Sequence, residues 1–325
     1  MKVLSLFDGI SCARVALERA GIPVEAYYAS EIDKYAIQVS QKNYPEIQHV
    51  GSVVGLGLLN YPLGGIDLLI GGSPCQDLSI ANKNRKGLAG EKSGLFYEYL
   101  RILREVKPKY FILENVASMS QESRDTISKE LGVEPIMINA TLVSAQQRKR
   151  YFWTNIPNVT LPEDRNIFLK DILCDEEKWD TNTVYQYRRY YMRITEGGKV
   201  PTLTANMGTG GHNVPFVRVL EATKKGYVDI KVGECVDLTQ PNSKTRRGRS
   251  MVEKSNCLTT SDMQYYKLTK QGLRKLLPVE CERLQGLPDN YSGGGASDSQ
   301  RYKMLGNAFN VDVIAHILSF IKKQL

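Results

Sequence analysis

The sequence predicts an α/β protein with a doubly wound, mostly parallel sheet and a smaller, irregular β-rich domain. Apolar strands alternate with helical patterns through the first half, and the first strand enters a glycine-containing turn before a helix. After about residue 158 the apolar periodicity fades, and Tyr, Thr, Asn, Gly and basic residues increase. We therefore expect a first domain at 1–158, a second at 159–270, and a C-terminal segment at 271–325 that returns to the first.

The elements follow from apolar patterns bounded by turn residues. An apolar strand at 3–7 enters the turn Asp8-Gly9-Ile10-Ser11, and a helical pattern then continues up to Gly21. Further strands are expected at 26–30, 66–70, 110–113 and 135–139. Further helices are expected at 34–42, 96–106 and 124–131, from Leu273 to about 284, and from Val311 to the end.

Composition excludes several classes of protein. The 325 residues are 42% hydrophobic, which argues against a disordered or collagen-like chain. The six cysteines are far apart without a CxxC pair, so neither a zinc site nor a disulfide framework is indicated. No uninterrupted apolar run reaches the ~18 residues of a membrane helix, and an early charge argues against a signal peptide. We expect a cytoplasmic protein without membrane contact.

Charge allows a polyanionic partner but does not require one. The chain has 43 basic and 35 acidic residues, a formal net charge of +8. Such a balance suits nucleic acid and equally suits a protein that is merely kept in solution.

The sharpest local signal follows the strand at 66–70. Gly71 and Gly72 end the apolar run, and Pro74 and Cys75 then fall on a loop, where a thiol is exposed and open to activation. Residues 81–94 have few apolar anchors, as expected of a lid that closes over a substrate. A plain surface loop is the alternative.

Three further strand ends carry charged side chains. Glu31 and Glu114 close apolar strands at the edge of the sheet where ligands bind in doubly wound folds. Arg148 and Arg150 alternate onto one face of a strand and suit an anion or a polarised carbonyl. The alternative for Glu31 is a surface carboxylate that ends a strand, and each arginine alone is more often solvated than functional. The turn after the first strand has only Gly9 in a position of the GxGxxG dinucleotide motif.

Taken together in chain order, the motifs resemble the C5-cytosine DNA methyltransferase family over nearly the whole chain. The motifs are Phe7-Asp8-Gly9, Gly72-Ser73-Pro74-Cys75, Glu114-Asn115-Val116, Gln146-x-Arg148-x-Arg150, Arg283-Leu284-Gln285-Gly286-Leu287-Pro288 and Gly306-Asn307-Ala308. Several catalytic segments look like the de novo DNA methyltransferase catalytic domain of mammals. Without chromatin-reading modules ahead of them, a bacterial or phage enzyme is expected.

The resemblance implies a Rossmann-like fold and a mechanism. Cys75 would be the nucleophile that adds to cytosine C6, Glu114 would contact N3, and Arg150, supported by Arg148, would bind the O2 side. The target base would be flipped out of double-stranded DNA. The resemblance implies no metal.

The resemblance also implies S-adenosylmethionine as the methyl donor. Its expected binding residues are Phe7, Asp8, Gly9, Ile10, Ser11, Glu31, Ile32, Ser52, Val53, Pro74, Leu95, Asn307 and Ala308. Two positions depart from the family pattern. Ser52 stands where an aspartate usually accepts from the adenine amino group, and Ser11 stands where a glycine is expected.

Residues 159–270 correspond by resemblance to the family's target-recognition domain. The segment 241–255 carries five basic residues against one acid, which suits phosphate contact, with a solvated loop as the alternative. The expected DNA-contacting residues are Ser79, Asn82, Lys83, Arg85, Lys86, Arg246, Arg247 and Arg249.

Three alternative functions share part of this pattern. An RNA-directed relative acting on tRNA would keep the chemistry, but Gln76-Asp77-Leu78-Ser79 resembles the DNA-acting members. A catalytically silent DNA-binding paralogue would not need Cys75 and Glu114 together. A nicotinamide oxidoreductase shares only the generic fold. The preferred hypothesis is a monomeric enzyme of a restriction-modification system that acts on the bacterial nucleoid.

Overall fold

The computed structural model describes residues 1–57, 64–74, 78, 87–90, 93–172, 174 and 277–322, together with the backbone of eight strands between 183 and 275. Seven strands form one sheet in the order β3-β2-β1-β4-β5-β7-β6. They are β1 (Lys2–Leu6), β2 (Ala26–Ser30), β3 (Gln48–Gly51), β4 (Leu68–Gly71), β5 (Tyr110–Val116), β6 (Ile136–Asn139) and β7 (Lys149–Thr154).

The pairing of these strands is mostly parallel. Strands β3, β2, β1, β4 and β5 pair in parallel, while β7 runs antiparallel between β5 and β6. The predicted α/β class with a mostly parallel, doubly wound sheet is confirmed. The carboxyl ends of β1, β2 and β4 therefore lie at one edge of the sheet.

Eight α-helices lie in the described part of the chain. They are α1 (Cys12–Arg19), α2 (Lys34–Asn43), α3 (Phe96–Val106), α4 (Gln121–Leu131), α5 (Leu169–Ile172), α6 (Pro278–Leu284), α7 (Asp298–Asn307) and α8 (Val311–Lys322).

Helices cover both faces of the seven-stranded sheet because its strands are apolar on both sides. In β1, Val3 packs in the core with α1, α2 and α8, while Leu4 packs in the core with α3 and α4. In β5, Ile112 and Leu113 divide in the same way. The sheet is therefore the middle of three layers.

The C-terminal helices belong to this layered structure. Asp312 on α8 pairs with Arg19 of α1 at 3.0 Å and with Arg165 at 2.9 Å. The stretch Asp298–Lys322 is long and apolar enough to cross a membrane by length and composition. It consists of α7 and α8, and most of it is buried inside the protein, as in the core helices of a globular domain.

The helix predicted from Leu273 is wrong at its start. Residues 272–275 form β15, which pairs with β14 (Tyr265–Thr269), and the helix begins at Pro278. Proline forces the preceding Leu277 into an extended conformation, with φ −72° and ψ 153°, and itself fits the first turn of a helix. The leucine spacing across 273–277 therefore does not belong to a helix.

The strands between 183 and 275 form three antiparallel sheets. Two of these sheets pair β8 (Thr183–Arg188) with β9 (Tyr191–Glu196) and β10 (Arg218–Leu220) with β11 (Tyr227–Asp229). The third has the order β13-β12-β14-β15, with β12 (Cys235–Asp237), β13 (Arg249–Met251), β14 (Tyr265–Thr269) and β15 (Gly272–Lys275). This antiparallel architecture differs from that of the large sheet.

Candidate active site and methyl-donor site

The loop between β1 and α1 has an unusual backbone. Phe7, Gly9 and Ser11 all have positive φ, at 56°, 60° and 60°. Glycine adopts this region freely, but each non-glycine residue there costs on the order of 1–3 kcal/mol. A Cβ built at Gly9 meets no atom within 4 Å, so open space lies beside this glycine.

Asp8 is a buried carboxylate at the centre of this loop. Its Oδ1 accepts a 2.6 Å hydrogen bond from the hydroxyl of Tyr27, and its Oδ2 accepts a 2.5 Å bond from Ser11 Oγ. Burial raises the pKa of Asp8 to about 6, although the bonds from Ser11 and Tyr27 oppose the rise. Asp8 therefore organises the loop from within.

Glu31 connects the end of β2 to the same loop. Its Oε2 accepts from the backbone N–H of Gly9 at 2.8 Å, and its Oε1 accepts from the N–H groups of Ile32 and Asp33. Because a carboxylate oxygen has two acceptor positions, Oε2 keeps one for a ligand hydroxyl. The adjacent Ile32 side chain is 77% exposed, an apolar surface next to that acceptor.

The two positions after β3 differ in exposure. Ser52 is exposed, and its Oγ accepts from the N–H of Val54 at 3.1 Å, while Val53 is buried. The Ser52 hydroxyl oxygen is thus partly used by its own turn, and its proton stays available as a donor.

The C-terminal helix α7 reaches the loop that follows β2. Lys303 Nζ donates to Asp33 Oδ2 at 2.8 Å. Asn307 lies one helical turn after Lys303, so it shares this face of α7, and its side chain is exposed. The next residue, Ala308, is buried. Tyr291 also connects the C-terminal segment to the loop between β1 and α1, because its hydroxyl donates to the buried Ile10 carbonyl at 2.8 Å.

A second cluster of charges lies on β5 and β7. Glu114 Oε1 is 2.8 Å from Arg150 Nε and 4.0 Å from Arg148 Nη2. The Glu114 side chain is 12% exposed and that of Arg150 14%. A nearly desolvated pair of this kind has a fixed geometry and stronger electrostatics than a surface pair.

Arg148 is buried more deeply than the other two. Its side chain is 4% exposed, and its guanidinium donates to the carbonyls of Ala308 at 2.8 Å and Gly306 at 3.3 Å. Arg148 therefore links Glu114 to the backbone on either side of Asn307.

The strand end at β4 packs directly against Glu114. A Cβ built at Gly72 would be 2.8 Å from the Phe309 ring and 3.2 Å from Glu114 Oε2, so a larger residue there would force these side chains to shift. Asn115 Nδ2 lies 3.1 Å from Ser73 Oγ and 3.3 Å from its carbonyl. These contacts hold the segment that leads through the half-buried Pro74 into Cys75.

Several predicted site residues lie outside the described residues. They include Cys75, Ser79, Asn82, Lys83, Arg85, Lys86, Arg246 and Arg247. Arg249 begins β13 and is described by its backbone alone. Leu95, the remaining predicted donor-site residue, directly precedes α3 and is half-buried.

Comparison with known proteins decides the family. The family model "C-5 cytosine-specific DNA methylase" matches residues 1–323. The chain belongs to this family. Family membership supports cytosine-C5 DNA methyltransferase activity, and methyltransferases of this family use S-adenosylmethionine.

Individual relatives of this C5-cytosine methylase extend over its full length. The type II methyltransferase M.Bsp6I of Bacillus sp. (strain RFL6) is 27% identical over 368 residues, covering 100% of this chain and 99% of the relative. M.FnuDI of Fusobacterium nucleatum is 29% identical over 365 residues, covering 100% and 95%. The solved structure of S. pombe Dnmt2 methyltransferase gives a TM-score of 0.63 at 18% identity, covering 100% and 99%, and supports the fold.

Sequence reasoning missed part of this C5-cytosine methylase site. It did not single out Tyr27, Ser40 or Tyr291. Their hydrogen bonds to the donor-site loop join residues 19 to 281 positions apart, and no local pattern signals them. Within the described residues, no group of three His, Cys, Asp or Glu side chains is placed to hold a metal ion.

Proposed function

We propose that the protein transfers a methyl group from S-adenosylmethionine to C5 of a flipped cytosine in double-stranded DNA through a covalent bond between Cys75 and C6. The observation that carries this proposal is the Glu114–Arg150 pair at 2.8 Å, packed against Gly72 two residues before Pro74. This arrangement offers both a carboxyl and a guanidinium to a planar ring that carries N3 and O2.

The donor-site residues fit the adenosyl group. Glu31 Oε2 keeps an acceptor position for a ribose hydroxyl, the exposed Ile32 offers an apolar surface to adenine, and the space beside Gly9 is open. We assign the remaining contacts to the predicted donor-site residues already described. When bound, the donor supplies an electrophilic methyl group on a sulfonium.

The protein's own residues make cytosine C5 reactive. The Cys75 thiolate adds to C6 while Glu114 donates a proton or a hydrogen bond to N3, so C5 becomes an enamine-like carbon. Arg150 binds O2 and stabilises the charge that develops there. C5 then forms a bond to the methyl group, the bond from methyl to sulfur breaks, and S-adenosylhomocysteine leaves as the thioether. A base removes the C5 proton, the C6–S bond breaks to give back the Cys75 thiolate, and the proton on N3 returns to Glu114.

Arg148 acts indirectly in this scheme. Its guanidinium is occupied by the carbonyls of Gly306 and Ala308 and is 4.0 Å from Glu114. We therefore assign it the role of holding Glu114 and the α7 end in register, in place of direct contact with the base.

DNA contact is assigned to two segments. Residues 159–270 form the proposed target-recognition domain between the catalytic domain, 1–158, and the returning segment, 271–325. The basic residues at 246, 247 and 249 would contact phosphates, and the loop at 81–94 would close over the flipped nucleotide. Ser79, just before this loop, and the loop residues Asn82, Lys83, Arg85 and Lys86 would contact the DNA. We propose a monomer in the bacterial cytoplasm that acts on nucleoid DNA.

A covalent trap tests the mechanism. Bisulfite sequencing of plasmid from an expressing host first gives the methylated site. A duplex with 5-fluorocytosine at that site and S-adenosylmethionine should then yield an adduct that survives denaturation, because fluorine at C5 cannot leave as a proton does. The adduct should form in EDTA and with Cys174→Ala, and it should be lost with Cys75→Ala. Methylation without an adduct, or an adduct in the Cys75→Ala protein, would refute the proposal.

A further inference from the structure

A chain of buried hydroxyl groups runs from the donor-site loop into the neighbouring elements. Ser11 Oγ is 2.5 Å from Asp8 Oδ2 and 2.6 Å from Ser40 Oγ, and Ser40 Oγ is 3.3 Å from His49 Nε2. Ser11 and Ser40 are both fully buried. This series of hydrogen bonds connects the loop between β1 and α1 to α2 and β3.

The number of protons fixes the direction of this chain. An ionised Asp8 only accepts, so Ser11 donates its single proton to Asp8. Ser40 must then donate to Ser11, and His49 must donate from Nε2 to Ser40. His49 therefore carries a proton on Nε2. Because burial lowers the pKa of His49 and its buried Nδ1 has no hydrogen-bond partner among the described residues, we assign the neutral form of the ring.

Ser11 needs Ser40 as a hydrogen-bond partner because of the conformation of its own backbone. It has φ 60° at the position before α1, where an N-cap serine is normally extended, and its side chain makes no capping bond to the helix. Short polar residues tolerate the left-handed region when their side chains bond locally. Glycine would adopt this φ without help.

We propose that Ser40 is a positioning residue for the methyl-donor site, and that its hydroxyl holds Ser11 in a left-handed conformation that glycine would adopt without support. This inference rests on the proposed function, since it assigns the loop to S-adenosylmethionine. Ser40 is on α2 and acts on the loop through its hydrogen bond to Ser11.

The proposal predicts a dependence between two positions. Ser40→Ala should weaken S-adenosylmethionine binding about three- to tenfold in the parent protein, the range expected for one net hydrogen bond. In the Ser11→Gly background the same Ser40→Ala change should alter the Kd by less than about twofold, because glycine needs no support. Isothermal titration calorimetry of the four full-length proteins gives both values without an activity assay.

Ser128→Ala is the matched control. Ser128 is a buried helical serine on α4 that accepts from Trp153 Nε1 at 2.9 Å, and it belongs to the opposite face of the sheet. Its replacement should lower the melting temperature and leave the Kd unchanged. All variants are compared by thermal unfolding.

Two results would overturn the inference while the proposed function stands. One is an equal loss of affinity on Ser40→Ala in both backgrounds, which would mean a general packing role. The other is an unchanged Kd on Ser40→Ala in the parent protein. If the folded parent protein does not bind S-adenosylmethionine, the proposed function fails, and the inference fails with it.

Discussion

Replacing Asp8 by asparagine should make the protein more stable at neutral pH, by an amount that depends on pH. Burial raises the pKa of Asp8 from 3.8 to about 6, with the nearby Glu31 carboxylate adding to the rise. A folded-state pKa above the unfolded value means that the folded state binds the proton more tightly between these pH values. The stability that protonated Asp8 contributes is therefore fully present below pH 3.8, and it is lost as the pH rises through 6.

The size of the effect follows from the two pKa values. At about 1.4 kcal/mol per pKa unit, the ionised Asp8 carboxylate costs the folded state about 3 kcal/mol at pH 7 and about 1.6 kcal/mol at pH 5. Asparagine removes the charge, but it has one acceptor oxygen for the two donors Tyr27 and Ser11, which offsets about 1 kcal/mol. The net gain should be about 2 kcal/mol at pH 7.

Urea unfolding at pH 5, 6 and 7, followed by the fluorescence of the buried Trp153, measures this gain. The penalty of presenting two hydroxyl donors to one asparagine oxygen does not change with pH. The decisive quantity is therefore how much the gain in unfolding free energy increases from pH 5 to pH 7, about 1.3 kcal/mol. Asp33→Asn is the control, because bonds from Lys303 and the Tyr35 N–H outweigh burial and lower its pKa. Its effect should be constant over this pH range. A gain for Asp8→Asn that is constant or falls with pH would refute the reasoning.

Three further changes test the catalytic side. Glu114→Gln keeps the shape beside Arg150 but cannot donate a proton to N3, so single-turnover methylation should slow by about 10²- to 10⁴-fold, and an unchanged rate would remove Glu114 from the chemistry. Gly72→Ala places a methyl group against Phe309 and Glu114, which should cost about 1–3 kcal/mol in urea unfolding and lower kcat by up to about 100-fold; full activity would show that the strand end adapts. Neutralising three arginines together should reduce the salt slope of DNA binding by about 2–3 in a filter-binding titration, and an unaltered slope would remove this segment from the interface. These arginines are Arg246, Arg247 and Arg249.

Elements with strong local signals could be predicted from the sequence. The strand at 26–30 and the helix at 96–106 lie where they were expected, because turn residues bound the first and helical apolar spacing marks the second. The error at Leu273 has a local cause, since leucines at helical spacing outweighed the effect of Pro278 on the residue before it. The order of strands was not predictable in this way. That β7 enters antiparallel between β5 and β6 depends on pairing across the whole sheet.

The candidate site also has a part that the sequence could predict and a part that it could not. Motifs indicated that Glu114, Arg148 and Arg150 act at one site, and the structure places Glu114 Oε1 2.8 Å from Arg150 Nε and 4.0 Å from Arg148 Nη2. Motifs did not indicate that Arg148 is bound by the carbonyls of Gly306 and Ala308, because a contact across 158–160 residues leaves no spacing pattern. Residue type predicted which side chains come together, and only tertiary structure gives what each one bonds.

The serine at position 11 changes how the donor-site loop is held. A glycine would reach φ 60° by its own freedom and would lose more conformational entropy when the loop is ordered. Ser11 is instead held at this φ by a network of hydrogen bonds with Asp8, Ser40 and Tyr27. The network includes a buried carboxylate with a raised pKa, which is stabilised by the hydroxyl groups that donate to it. A loop fixed by buried bonds before the ligand arrives has less to order on binding. The same hydrogen-bond network therefore has two consequences. It contains Asp8, whose burial destabilises the fold, and it orders the loop before a ligand binds.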